Sequence, residues 1–125
     1  NMGVIVYSPM EKGLLSGKFS REYLQNRPPG DLRHREPHFQ EPELSANLEL
    51  AEGLRPIAQK RGRTVAQLAI AWVLRRPEVT AAIVGARRPF QIEETVLAGD
   101  WVLSKEDISA IDRLIDKRER TFKQA

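Results

Sequence analysis

The sequence contains no cysteine, which excludes disulfide bonds, thiolate metal sites and cysteine nucleophiles. Its longest strongly apolar stretch, 65–74, includes Gln67 and is far shorter than the roughly 20 residues of a membrane helix. The sequence shows no charged segment followed by an apolar one, so no signal peptide is visible. The net charge of +3 is too small and too scattered to indicate a nucleic-acid surface. We therefore expect a cytoplasmic protein with neither a membrane nor a nucleic-acid partner.

The remaining composition is that of an ordinary globular protein. Apolar residues make up 41% of the chain and charged residues 30%. A length of 125 residues suits a single small domain with one modest core. The whole chain, 1–125, is accordingly interpreted as one unit.

Two short segments about seventy residues apart carry most of the functional information, 7–18 and 83–89. Each follows an apolar, β-branched run, 3–7 in the first case and 80–84 in the second, and continues into small, turn-forming or basic residues. Apolar runs without alternation predict parallel strands that are buried on both faces. In parallel α/β proteins ligands bind at the C-terminal ends of such strands. The pattern favours a phosphate-bearing ligand.

Helices are predicted between and after the two strands. Helical spacing of apolar residues predicts a helix from Leu44 to about Gly62, which Pro56 would kink or split. Thr64 and Gln67 form a capping box that opens the next helix. The segment from Phe19 to Pro42, rich in Pro, Gly, Arg and His, is interpreted as a long surface loop.

The chain ends in two further predicted helices. Pro89 suits the first turn of a short helix that runs to Ala98. Ser104, with Asp107 three residues later, opens a final amphipathic helix. Arg75 and Arg76 are interpreted as positive charge at a helix C-terminus.

The order of elements predicts an α/β fold with parallel strands. Two strands do not make a sheet that is stable alone, because their edges and apolar faces stay uncovered. A (β/α)8 TIM barrel has about 250 residues, so this chain has roughly half its size. The predicted fold is a partial, half-size barrel with two parallel strands, a long loop and several helices. The chain looks truncated from something longer.

These residues resemble a known family. The string from Val4 to Lys18 is similar to the seventh-strand signature of aldo-keto reductases, the (β/α)8 oxidoreductases that use NADPH. The stretch from Thr64 to Glu94 resembles the seventh helix, eighth strand and start of the eighth helix of that family. The tail 100–114 resembles the segment that closes the barrel. The resemblance covers almost the whole chain and leaves out only 19–42.

The resemblance implies a set of NADP(H)-binding positions. They are Tyr7, Ser8, Pro9, Met10, Gly13, Leu14, Ser16, Lys18, Gly85, Arg87, Gln91 and Glu94. In the family the ring at position 7 stacks on the nicotinamide, the turn after it wraps the pyrophosphate, and the position of Arg87 meets the 2′-phosphate. Thr95 departs from the pattern, because asparagine is more usual there for the adenine contact.

Simpler interpretations of single residues stay open. Tyr7 could be a core residue, Lys18 a solvated lysine, and Arg87 with Arg88 a charged turn. His34 and His38 are four residues apart, but no carboxylate is placed to complete a metal or catalytic site, so we interpret them as solvated loop histidines. No metal site and no catalytic residue is assigned.

The implied function is that of the NADP(H)-binding C-terminal part of an aldo-keto reductase, a carbonyl or alcohol oxidoreductase. The family takes its catalytic Tyr, Lys, Asp and His from the first half of the barrel, so this chain alone should be inactive. The implied partners are the nicotinamide dinucleotide and the missing barrel half. Two alternatives remain: a half-barrel that self-associates into an oligomer, and a non-enzymatic nucleotide-sensing module like the potassium-channel beta subunits of the superfamily.

Overall fold

A computed structural model describes residues 2–124 of the chain. The elements, in chain order, are β1 (Val4–Tyr7), α1 (Arg21–Gln25), α2 (Glu43–Lys60), α3 (Val65–Leu74), β2 (Val79–Ile83), α4 (Pro89–Val96) and α5 (Lys105–Gln124). Short 3-10 helices lie at Leu32–His34, Pro37–Phe39 and Leu97–Asp100. None of the helices described within 2–124 is both long and apolar enough to cross a bilayer.

The two strands pair in parallel, as the element order predicts. Val4 lies opposite Val79 and Tyr7 opposite Ile83, with an irregularity just after Val4. Parallel pairing places the C-terminal ends of both strands at the same edge of the sheet. The segments 7–18 and 83–89 therefore leave the sheet side by side.

The prediction that both strands are buried is wrong. Ile5 is 62% exposed, Tyr7 79% and Ile83 60%. The described part of the chain forms a sheet of only two strands, so each strand has one neighbour and the apolar side chains project from an uncovered face. An unbroken apolar run is typical of a strand that is covered on both faces. The residues described here do not cover these two strands in that way.

The main core lies between α2, α3 and α5. Its buried residues are Leu54, Ala58, Val65, Leu68, Ala71, Leu103 and Ile111. Thr64 and Gln67 form the predicted capping box, with both reciprocal hydrogen bonds present. Helix α2 runs without interruption through Pro56, so the proline does not split it.

The interpretation of 19–42 as a surface loop is wrong in part. The segment contains α1 and two 3-10 turns, and Leu24 and Phe39 are buried at 8% and 1% exposure. They pack with Leu14 and Leu44 into a second apolar cluster. The composition of the segment is typical of a loop, but the burial of these two apolar residues gives it an ordered structure.

Helix α5 packs along α2 and is held at its start by polar contacts. Asp107, 4% exposed, pairs with Arg61 at 3.0 Å, and its backbone N–H donates to the Ser104 hydroxyl at 3.1 Å. The predicted start of this helix at Ser104 is confirmed. Arg75, interpreted as helix-end charge, stacks on the ring of Trp72, with its guanidinium carbon 3.4 Å from the ring centroid.

Candidate functional site

A cleft of about 820 Å³ opens at the C-terminal ends of β1 and β2. Eleven of the twelve residues predicted from sequence line it: Tyr7, Ser8, Pro9, Met10, Gly13, Ser16, Lys18, Gly85, Arg87, Gln91 and Glu94. They come from two segments far apart in sequence. The parallel pairing of the strands brings them together.

Leu14 is the predicted residue whose side chain does not line the cleft. It is only 4% exposed and packs against Leu24, Phe39 and Leu44 in the second apolar cluster. A leucine inside a glycine-rich turn anchors that turn to the protein. Its role in this structure is therefore to hold the segment 7–18 in place.

The turn after β1 has an unusual backbone. Ser8, Glu11 and Lys12 have φ angles of 51°, 45° and 53°, in the left-handed region that side chains disfavour. Hydrogen bonds inside the turn hold this conformation, among them Glu11 N–H to the Ser8 carbonyl at 2.9 Å. Left-handed residues in a turn can direct backbone N–H groups into a concave anion site. In this turn the N–H groups of Glu11, Gly13 and Leu14 donate to carbonyls of the turn itself, so these bonds hold its left-handed backbone.

The second wall of the cleft is built around Gln91. Its side-chain oxygen accepts hydrogen bonds from the backbone N–H groups of Arg87, at 2.6 Å, and Arg88, at 3.0 Å. These two amides are therefore satisfied within the chain, and Gln91 fixes the turn that carries Arg87. Thr95, the departure from the family pattern, lines the cleft and donates its hydroxyl to the Gln91 carbonyl at 2.8 Å.

The cleft is rich in positive charge. Lys18 and Arg87 are exposed and make no ion pair within residues 2–124. Lys12 lines the same cleft and pairs with Glu36, and the hydrogen bond to this carboxylate raises the pKa of Lys12. The lysine is therefore charged at neutral pH. Glu94 is the carboxylate that faces the cleft from α4.

Arg33 and Asp31 form a second charged group at the rim. Arg33 donates from Nε to the Lys12 carbonyl at 3.0 Å and from Nη1 to Asp31 at 2.8 Å. The backbone N–H of Arg33, followed by the Arg27 side chain, lowers the pKa of Asp31 to about 2. Asp31 is thus ionised at neutral pH and holds the arginine against the turn.

Eight residues outside the predicted set also line the cleft, and of these Thr95 alone stood out in the sequence, as a departure from the family pattern. They are Lys12, Phe19, Tyr23, Arg33, Ala66, Ile83, Ala86 and Thr95. Three of them, Lys12, Ile83 and Ala86, lay inside the two motifs and were detectable from position alone. Tyr23 and Arg33 come from the segment interpreted as a loop, and no spacing in the sequence connects them to the site.

Neither histidine in this segment is a free loop side chain. His34 Nε2 lies 3.2 Å from the Arg27 carbonyl, and His38 Nδ1 lies 2.7 Å from a carboxylate oxygen of Glu43. No group of three His, Asp or Glu side chains in the described part of the chain is placed to hold a metal ion. Both histidines help to order the segment.

Comparison with known proteins gives a consistent result. The model of the aldo/keto reductase family matches residues 1–116. The chain is 36% identical to L-glyceraldehyde 3-phosphate reductase of Escherichia coli O157:H7, over 99% of its own length and 36% of that protein. It is 32% identical to the NADH-specific methylglyoxal reductase of Escherichia coli strain K12, over 94% of its length and 35% of the relative.

One relative carries a different description. The chain is 32% identical to a putative voltage-gated potassium channel subunit beta of Schizosaccharomyces pombe, over 91% of its length and 34% of that protein. The chain thus spans about a third of the length of the curated relatives it matches.

A solved structure shows the same fold. The glycerol dehydrogenase AKR11B4 of Gluconobacter oxydans superimposes with a TM-score of 0.83 and 33% identity, over 93% of this chain and 35% of that one. The prediction of a partial (β/α)8 barrel is confirmed.

Proposed function

Because the chain belongs to the aldo/keto reductase family, we propose that it is the NADP(H)-binding C-terminal part of such an oxidoreductase. The observation that carries this proposal is the convergence of both strand-end motifs on one cleft. Residues about seventy positions apart meet there, and they supply an aromatic ring, a strained turn and unpaired cations. Each of these suits a different part of a dinucleotide.

The residues of the cleft fit the chemistry of NADP(H). The cleft has a volume of about 820 Å³, which lies within the range of cofactor sites. Lys18 and the turn at 8–17 would hold the pyrophosphate, and Arg87 would bind the 2′-phosphate through its planar fork. Tyr7 would offer its ring to the nicotinamide. Gln91 and Glu94 would lie towards the adenosine.

The bound cofactor would supply the hydride. This chain's residues would bind and orient it. Reduction of a carbonyl also needs a proton donor beside the developing alkoxide, and the family's donor is not carried over to any position here. We therefore propose that the chain binds nucleotide but does not turn over a carbonyl substrate by itself.

Calorimetric titration of the 125-residue chain with NADPH and with NADH tests the proposal. We expect saturable binding of NADPH and a preference over NADH. Arg87→Met should weaken NADPH binding about ten- to a hundredfold, the value of a hydrogen bond to a charged group, with little effect on NADH. Arg76→Met, an exposed arginine outside the cleft, is the matched control.

Two outcomes would count against this assignment. If NADPH does not bind even at millimolar concentration, the cofactor assignment for this chain is wrong. One relative is described as an NADH-specific methylglyoxal reductase. If this chain also prefers NADH, the nucleotide site stands and the proposed role of Arg87 is wrong.

A second candidate function is self-association of the half-barrel. The observation that favours it is the exposure of Val4, Ile5, Tyr7 and Ile83 on the small sheet. A symmetric dimer would cover these side chains. Light scattering after size-exclusion chromatography separates the cases, since a monomer at high concentration contradicts this candidate.

A third candidate is a non-enzymatic nucleotide-sensing module. It is favoured by the likeness to the potassium channel subunit beta of fission yeast. This function requires a partner protein whose binding changes with NADPH. If a partner protein copurifies to the same extent with and without NADPH, this candidate is contradicted.

A further inference from the structure

Residues 31–39 form a strap that runs from the rim of the cleft to the start of helix α2. At one end the strap carries Arg33, which lines the cleft. Arg33 Nη2 makes no hydrogen bond within residues 2–124, whereas Nε and Nη1 hold the Lys12 carbonyl and Asp31. Nη2 is therefore the guanidinium nitrogen left to donate to a ligand.

The near side of the strap is fixed to the turn that lines the cleft. Arg33 donates to the Lys12 carbonyl, and Lys12 Nζ pairs with Glu36. Both contacts involve one residue of the turn. Any shift of the strap would therefore move Arg33 and disturb Lys12 as well.

The far side of the strap is fixed to the first two turns of α2. His38 Nδ1 bonds Glu43 at 2.7 Å, and the His38 carbonyl accepts from Asn47 Nδ2 at 2.9 Å. Glu43 and Asn47 are 8% and 5% exposed, so these polar groups are nearly removed from water. Buried polar groups of this kind need their partners, because an unpaired one is costly.

Arg118 on α5 completes this buried group. Its Nη2 donates to Glu43 and its Nε donates to Asn47 Oδ1 at 2.8 Å. Arg118 thus binds the two residues that hold His38. Its guanidinium also lies 5.3 Å from the ring of Phe122, so the contact includes the last turns of α5.

We propose that Arg118 is a positioning residue for the nucleotide cleft, acting through Glu43 and Asn47 on the strap that presents Arg33. This inference rests on the proposed function and adds Arg33 to the groups that would meet a phosphate of the dinucleotide. Within residues 2–124, the hydrogen bonds and ion pairs of Arg118 reach Glu43, Asn47 and Glu119, none of which lines the cleft. Its effect on the site passes through two buried side chains to the imidazole and the backbone carbonyl of His38.

The test is a double-mutant cycle read by NADPH affinity and by hydrogen exchange. Arg118→Met should weaken NADPH binding about two- to thirtyfold, the usual range for couplings through packed networks. In the Arg33→Met background the same change should have no further effect on affinity, because the group it positions is gone. Backbone amides of 31–40 should exchange faster in Arg118→Met.

Lys117→Met is the matched control. Lys117 pairs with Glu49 between the same two helices, but both side chains are more than half exposed. It should leave affinity and strap exchange unchanged. Arg118→Lys keeps the charge towards Glu43 without the fork that spans Asn47, and provides a milder variant should Arg118→Met not fold.

The outcomes are distinct. If the wild-type chain binds no NADPH, the proposed function fails and this inference fails with it. If the wild-type chain binds but Arg118→Met behaves like Lys117→Met, Arg118 does not position the strap and the inference is wrong. If the effects of Arg118→Met and Arg33→Met on affinity add fully, Arg118 does not act through Arg33 and the inference is wrong.

Discussion

Gln67 joins helix α3 to the wall of the cleft through the backbone carbonyl of Glu94. Its side-chain oxygen accepts from the Thr64 N–H at 3.0 Å, and its amide nitrogen donates to the Glu94 carbonyl at 2.7 Å. Gln67 is 5% exposed, so both bonds are nearly dry. One side chain thus caps α3 and sets the position of α4.

Gln67→Glu separates these two roles. Glutamate keeps the acceptor for Thr64 but places a second oxygen against the Glu94 carbonyl. We expect a loss of about 1–3 kcal/mol in the free energy of unfolding, the cost of an unsatisfied buried group. Urea unfolding measures it. Glu93→Gln, on the exposed side of α4, is the control, and equal stability of all three proteins would contradict the role of Gln67.

Gly17 is predicted to disfavour any side chain. Its φ is +79°, and an added Cβ would lie 3.2 Å from Cβ of Val65. Gly17→Ala should destabilise the chain by at least about 1–2 kcal/mol from the left-handed backbone alone. Gly30→Ala, where nothing lies within 4 Å of an added Cβ, is the comparison in thermal unfolding. Similar melting temperatures for the two variants would argue against this constraint.

Asp31 is predicted to make stability depend on acid. Its pKa is about 2 in the folded chain, against about 3.9 when unfolded. The contribution of a lowered pKa is present above the unfolded value and is lost as pH falls through the folded one. The melting temperature of the wild type should therefore fall more steeply between pH 4 and pH 2 than that of Asp31→Asn. Parallel curves would show that Asp31 does not contribute to the acid dependence of stability.

Lys18 is predicted to act on the nucleotide by charge. It is exposed and has no ion-pair partner within residues 2–124, so Lys18→Met should leave stability within about 0.5 kcal/mol. Affinity for NADPH should fall, and its dependence on salt should become weaker. Lys105→Met, at the exposed start of α5, is the control. An unchanged salt dependence in Lys18→Met would place Lys18 outside the site.

Much of the fold is readable from local chemistry. Thr64 and Gln67 marked the start of α3, Ser104 marked that of α5, and the apolar runs marked both strands within a residue or so. These signals are short range, since a cap or an apolar run acts within one turn or one strand. The boundaries of elements follow from them directly.

The segment 19–42 could not be predicted in the same way. Leu24 and Phe39 are two apolar residues among prolines, arginines and histidines, without any helical or strand period. Their burial depends on Leu14 and Leu44, which lie outside the segment. A contact between residues so far apart leaves no periodic pattern in the chain.

The sequence by itself determined the two strand-end motifs, the caps of the helices and the family to which they belong, because each depends on neighbours within a few residues. The tertiary structure decided that the motifs share one cleft, that Arg33 and Tyr23 line it, and that Leu14 does not. It also showed the sheet faces to be exposed. Parallel pairing, burial and long-range ion pairs depend on the path of the whole chain, which no local pattern specifies.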